Sequence, residues 1–182
     1  MEIRRLELDG VVEITPAKHG DDRGYFSETY NKARLAEHGV DLDFVQDNQS
    51  YSARKGVLRG LHYQLTPRAQ DKLIRVLKGR IFDVAVDIRR ASPTFGKWVG
   101  VELSEEKWNQ LLVPKGFAHG FVTLEEHTVV AYKVTDFYSR EHDRGIRFND
   151  PDLNIDWPLD AVEVQLSDKD ANAPSLVNAE VF

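Results

Sequence analysis

Apolar and polar residues alternate with period two through much of the stretch from Leu58 to Asp136, and Gly or Pro punctuates the runs. A strand sends successive side chains to opposite faces, so this pattern asks for half-buried strands and leaves little room for helix. In Arg80 to Ile88, for example, Phe82, Val84, Val86 and Ile88 share one face, opposite Ile81, Asp83, Ala85 and Asp87. Leu73 to Leu77 precedes it, and the intervening Lys78-Gly79 predicts a hairpin between the two. Trp98 to Leu103 and Gln110 to Val113 follow, Pro114-Lys115-Gly116 turns the chain, and Phe117 to Leu124 with Thr128 to Asp136 reads as a further strand pair. The most helix-like segment is Asn31 to His38, where Asn31 can cap the start and Gly39 stands at the stop. Many short strands and so little helix predict an all-β fold, an antiparallel sandwich or jelly-roll barrel with a few short helices.

The 182 residues are read as one domain, 1–182, with no internal repeat, low-complexity tract or linker. A chain of this size buries roughly 70% of the surface its unfolded form exposes, so it can hold an apolar core without staples. It has no cysteine, which removes disulfides, thiolate metal sites and cysteine nucleophiles together and fits a cytoplasmic location. No apolar run is long enough for a membrane span, and Met1-Glu2-Ile3-Arg4-Arg5 does not open a signal peptide. A net charge of -6 argues against a protein that coats nucleic acid, while still allowing a local basic pocket for a small anion.

Three polar clusters interrupt the strand pattern. The first is Asp22-Arg23-Gly24-Tyr25-Phe26-Ser27-Glu28, followed by Gln46-Asp47-Asn48; the second is Gly56 to Gln64 with Lys72; the third joins His119 to Tyr132 and Lys133. Each member alone has an ordinary explanation: Arg23-Gly24 a turn, His62 a hydrogen-bonded histidine, Tyr132 a packed strand residue, Lys72 a solvated amine. Together they describe a site. Arg23, Arg59 and Lys72 suit a phosphate or diphosphate, a neutral His62 is a usable base near neutral pH, and Tyr132 could return a proton as a phenol. Base and acid on opposite faces of one carbon describe an epimerisation. Arg59 and His62 are three apart and would face opposite ways in a regular strand, so a shared pocket requires a bulge at Gly60.

The spacing Pro114-x-Gly116-x-x-His119 is similar to the second motif of the cupin jelly rolls. Metal-binding cupins also carry His-x-His with a following Glu, whereas this chain has His62-Tyr63-Gln64 and no such Glu downstream. With two ligands missing, no metal is expected. No Gly-x-Gly-x-x-Gly opens a helix, so nicotinamide chemistry is not expected, and the anticipated cofactor set is empty.

Six runs resemble the dTDP-4-dehydrorhamnose 3,5-epimerase family across nearly the whole chain: Arg23-Gly24-x-Phe26-x-Glu28, Gln46-Asp47-Asn48, Gly56 to Gln64, Phe82 to Arg89, Ser92 to Gly96 and Gly116 to Phe121. The resemblance implies a homodimeric, metal-free cupin that inverts carbons 3 and 5 of dTDP-4-keto-6-deoxy-D-glucose on the way to dTDP-L-rhamnose, commonly destined for the cell envelope. It implies His62 as the base oriented by Asp170, Lys72 as the group facing the keto oxygen, and Tyr132 as the acid. Arg23, Phe26, Glu28, Gln46, Asn48, Arg59, His119 and Lys169 would bind substrate, and Tyr138 would stack on thymine. Asp143 stands where the family tends to have Glu, which leaves that nucleotide contact open. Val11 to Thr15 is expected to pair across subunits, so that each pocket borrows residues from the other chain. Three alternatives remain at this point: an epimerase acting at one centre, a ketoisomerase on a similar sugar, and a non-catalytic dTDP-sugar-binding cupin.

Overall fold

The fold is that of a computed structural model, which describes residues 1–159 and 163–182. Its strands in chain order are β1 (Glu2–Arg5), β2 (Val12–Thr15), β3 (His19–Asp21), β4 (Gly24–Phe26), β5 (Gln46–Ser52), β6 (Leu58–Gln64), β7 (Lys72–Lys78), β8 (Arg80–Asp87), β9 (Trp98–Ser104), β10 (Gln110–Val113), β11 (Phe117–Thr123), β12 (Thr128–Val134) and β13 (Asp143–Gly145). Two short helices, α1 (Lys32–Ala36) and α2 (Asp168–Ala171), and a 3-10 turn at Leu176–Asn178 complete the described elements. No helix among the described residues is long and apolar enough to cross a membrane.

One sheet runs β1-β2-β10-β7-β12-β5, the other β13-β6-β11-β8-β9, and β3-β4 forms a separate hairpin. All the ladders are antiparallel, as the sequence predicts. The alternation along β8 sorts its residues between two cores. Ile81 and Ala85 join Ile74, Val76, Val130 and Phe121 in the cluster shared by the two sheets. Val84, Val86 and Ile88 join Leu61, Tyr63, Ile146 and Leu176 in a second cluster, on the opposite face of the five-stranded sheet. A third cluster packs Leu35 of α1 against Val12, Ile14, Leu73 and Leu112. The helix starts as the sequence predicts, with Asn31 Oδ1 accepting from the Arg34 amide at 3.1 Å.

Two predicted hairpins are corners instead. β7 and β8 are separated by Gly79 alone and lie in different sheets, as do β11 and β12. A hairpin ordinarily needs two residues between its strands, and a single-residue connection cannot fold one back on the other. The chain therefore steps across the barrel at Gly79. β11 has both neighbours occupied by β6 and β8, so β12 joins the facing sheet.

The predicted role of Val11 to Thr15 is also corrected. β2 pairs with β1 on one side and β10 on the other, so its backbone groups are already satisfied within the chain. It has no edge to offer a second subunit; the edges of that sheet are β1 and β5.

Candidate functional site

The two sheets enclose a cavity of about 500 Å³ lined by Arg59, His62, Lys72, His119, Tyr132 and Asp170, six of the residues expected to act together. A local irregularity brings Arg59 and His62 to one face. In the β6–β11 ladder His62 is opposite His119, but Arg59 is opposite Phe121, so Gly60 and Leu61 face Gly120 alone. Two residues against one is a bulge, and it turns the three-residue spacing into a shared face. Only glycine fits there. Gly60 has φ +129, and a Cβ on it would lie 2.5 Å from the Gly120 Cα and 2.8 Å from the His119 carbonyl oxygen. A Cβ on Gly120 would in turn lie 2.9 Å from the Arg59 carbonyl oxygen.

His62 is held by α2. The Ser167 hydroxyl caps that helix by accepting from the Asp170 amide at 3.2 Å, and the buried Asp170 carboxylate meets His62 Nε2 at 2.5 Å. Burial pushes the Asp170 pKa up, but hydrogen bonds from His62 and neighbouring groups outweigh it and leave the carboxyl below its usual value. An ionised Asp170 accepts from Nε2–H, which leaves His62 Nδ1 with a lone pair for a proton. The imidazole is about one-third exposed, enough to meet a substrate.

Lys72 projects from the facing sheet, where its Nζ donates to the His62 carbonyl oxygen at 3.2 Å. Burial pushes the ammonium down to about 8, against the opposing pull of Asp143 and Asp83. Tyr132 stands on β12 opposite Asn48, and burial raises its phenol above the ordinary value despite the nearby Arg59. It is therefore a protonated phenol at neutral pH. Arg59 donates from Nη2 to the Tyr51 carbonyl oxygen at 3.1 Å.

A second group of expected residues forms a hydrogen-bonded chain. Gln46 Nε2 donates to Asn48 Oδ1 at 2.8 Å, and Gln46 Oε1 accepts from the Tyr138 amide at 3.2 Å. The Tyr138 hydroxyl donates to Asp143 Oδ2 at 3.2 Å, and Lys169 Nζ donates to the same oxygen at 2.5 Å. The Tyr138 ring is exposed, as a stacking platform must be.

Arg23, Phe26 and Glu28 do not line the cavity. Arg23 lies at the turn of the β3–β4 hairpin with its side chain 89% exposed and bonded to Asp21, and Phe26 is 71% exposed. Glu28 pairs with Arg34 at 3.2 Å. Sequence reasoning had missed Ser50, Phe121 and Gln165 to Ser167, which line the cavity, and Asp83, which meets His119 Nε2 at 2.5 Å. Asp83 sits within the alternating strand pattern, and nothing in one sequence marks its partner. Among the described residues no group of three or more His, Asp or Glu side chains is arranged to hold a metal ion.

A family model described as dTDP-4-dehydrorhamnose 3,5-epimerase matches residues 5–178. A dTDP-4-dehydrorhamnose 3,5-epimerase from Pseudomonas aeruginosa is 51% identical over 183 residues, covering 100% of this chain and 99% of its own. A solved dTDP-6-deoxy-D-glucose-3,5-epimerase from Legionella pneumophila, in complex with dTDP-4-keto-L-rhamnose, superposes with TM-score 0.93 at 51% identity over 97% of this chain and 93% of its own. A 3'-monoepimerase from Streptomyces bikiniensis, in complex with dTDP-quinovose, matches with TM-score 0.88 at 34% identity over 94% of this chain and 86% of its own.

Proposed function

The chain belongs to the dTDP-4-dehydrorhamnose 3,5-epimerase family, and on that premise we propose that it inverts carbons 3 and 5 of dTDP-4-keto-6-deoxy-D-glucose to give dTDP-4-keto-L-rhamnose. The observation that carries this reading is a carboxylate-backed His62 and a protonated Tyr132 lining one cavity with a buried Lys72. The 4-keto group acidifies the hydrogens on both adjacent carbons. His62 Nδ1 takes one such proton, the electron pair moves into the ring as an enolate, and the charge collects on the former keto oxygen. The Lys72 ammonium, itself buried, faces that charge, and its burial strengthens the electrostatic stabilisation it gives. The Tyr132 phenol then delivers a proton to the opposite face of the same carbon, and the proton held on His62 returns to the phenolate through solvent. A second round at the other carbon completes the reaction.

Substrate grip divides between two places. Arg59 and His119 serve the diphosphate or sugar from inside the cavity, while Gln46, Asn48, Asp143 and Lys169 serve the nucleotide, with Tyr138 stacked on thymine. Lys169 holds Asp143 although its carboxylate is one carbon shorter than the family's Glu, and that supports a retained contact. Arg23, Phe26 and Glu28 act in trans: the exposed hairpin reaches the cavity of a second copy, so the working unit is a homodimer. The chain acts as one domain, and its lack of cysteine fits the cytoplasm, where nucleotide sugars are made.

Proton NMR of the substrate incubated with the protein in deuterium oxide, without added metal or nicotinamide, tests the proposal. Loss of signal at carbons 3 and 5 is expected. Loss at one carbon alone would select the single-centre reaction, and loss at neither, with dTDP still bound, would reduce the protein to a binding module.

A further inference from the structure

The β3–β4 hairpin carries Arg23 and Phe26, yet no strand ladder aims it. It forms a sheet of its own, every residue from Ala17 to Phe26 is exposed, and none of them joins an apolar cluster. Among the described residues no backbone–backbone hydrogen bond ties residues 17–30 to either large sheet. The ties are side-chain ones, and they converge on the turn between β9 and β10, chiefly on Trp108. The Trp108 Nε1–H donates to Ser27 Oγ at 3.0 Å, and the Tyr25 ring meets the indole edge to face, centroids 5.1 Å apart at 81°. Lys18 Nζ lies 4.6 Å from the Tyr25 ring centroid and 4.1 Å from that of Trp108, and Arg75 of β7 brings its guanidinium carbon within 5.1 Å of the same indole.

Trp108 itself has φ +60, a conformation that a bulky side chain rarely adopts and holds only where surrounding contacts dictate it. The next two residues fasten the turn: Asn109 Nδ2 donates to Glu13 Oε1 at 2.6 Å and to the Glu102 carbonyl oxygen at 3.0 Å, and Gln110 Nε2 donates to the Thr29 carbonyl oxygen at 2.9 Å. Trp98 and Trp157 pack against an apolar cluster, whereas Trp108 joins none of the three. We propose that Trp108 is a positioning residue, setting the angle at which the hairpin presents Arg23 and Phe26 to the substrate of a second copy; this rests on the hairpin's proposed action in trans. Tyr25 and Ser27 flank Phe26, and alternate residues of an extended chain share a side. Holding those two against the indole turns Phe26 the other way, where it stands 71% exposed. Trp108 does not line the cavity, so its effect on the substrate passes through the hairpin.

Steady-state kinetics on the full chain test the assignment. Trp108→Ala frees the hairpin without touching the cavity, and KM is expected to rise about fivefold with kcat near wild type. The rise should be smaller in an Arg23→Ala background, where part of what the ring aims is already gone. An unchanged KM would overturn the proposal, as would a kcat lowered as much as KM is raised. A rise as large in the Arg23→Ala background as in wild type would also overturn it, because a general loosening of the fold gives that result. So would a loss of assembly in sedimentation, since the ring would then hold an interface and not the hairpin's aim. Where Trp108→Ala fails to fold, Ser27→Ala removes only the acceptor of the indole N–H: a KM about twofold higher sustains the proposal, and a wild-type KM contradicts it. A wild-type KM in Arg23→Ala alone defeats the hairpin's proposed role and this inference with it. A raised KM there, with a wild-type KM in Trp108→Ala, defeats only this one.

Discussion

The barrel cavity and the β3–β4 hairpin both carry residues that the family resemblance assigns to the substrate, yet the chain treats them in opposite ways. In the cavity, Asp170, Lys72 and His119 are buried, and His62 and His119 are each fixed by a carboxylate from another element. On the hairpin, Arg23 and Phe26 are solvated and, among the described residues, Arg23 is paired only with Asp21, two residues away. Exposed ion pairs of that kind contribute little and exchange readily for a better partner. On the proposed reading the difference divides the labour: the machinery of proton transfer is assembled within one chain, whereas the hairpin's share of the substrate grip is proposed to act on a second copy.

The sharpest way to break this comparison is to remove the base. His62→Asn should lower kcat by at least about 10³-fold while dTDP affinity, measured by calorimetry, stays near wild type. Turnover within tenfold of wild type would mean that the cavity does not supply the base. Gly60→Ala should come next, because it puts a Cβ 2.5 Å from the Gly120 backbone at a position with φ +129. A loss of stability of about 2 kcal/mol or more is expected in thermal or urea unfolding, with activity lost in whatever folds. On the hairpin side, Arg23→Ala should raise KM by about tenfold, the worth of one charge-assisted contact, and leave kcat nearly unchanged.

The smallest effect is a pH and stability signature. The Lys72 ammonium sits near 8 in the folded chain, below its ordinary value of 10.5, so kcat should fall as pH rises through about 8. The unfolded chain binds the extra proton between those values, so burial of Lys72 costs stability below the folded pKa and the cost is relieved as pH rises towards 10.5. Lys72→Met should therefore raise the Tm at neutral pH by several degrees. A lower Tm would indicate that Lys72 stabilises the barrel.

The cavity was more legible than the topology, for a physical reason. Alternation shows which residues of a strand share a face, and a glycine between Arg59 and His62 marks where the face can be re-aimed. Both are local properties, and both hold in the structure. Capping of α1 by Asn31 is equally local. Pairing between strands is not local: Lys78-Gly79 looks the same whether the chain folds back or crosses to the other sheet, and only the occupied edges of β7 and β8 distinguish the two. The same limit hid β1 and β10 flanking Val12–Thr15 and Asp83 behind His119.

Mixing two inactive or impaired variants tests the division of labour most directly. His62→Asn lacks the base but keeps the hairpin, and Arg23→Ala keeps the base but lacks the hairpin arginine. Unfolded together, refolded as a mixture and assayed at low substrate, the pair should regain activity above the sum of the two alone, because a mixed dimer holds one complete site. Activity that never exceeds that sum, in a mixture shown by native mass spectrometry to contain mixed dimers, would contradict a site shared between subunits.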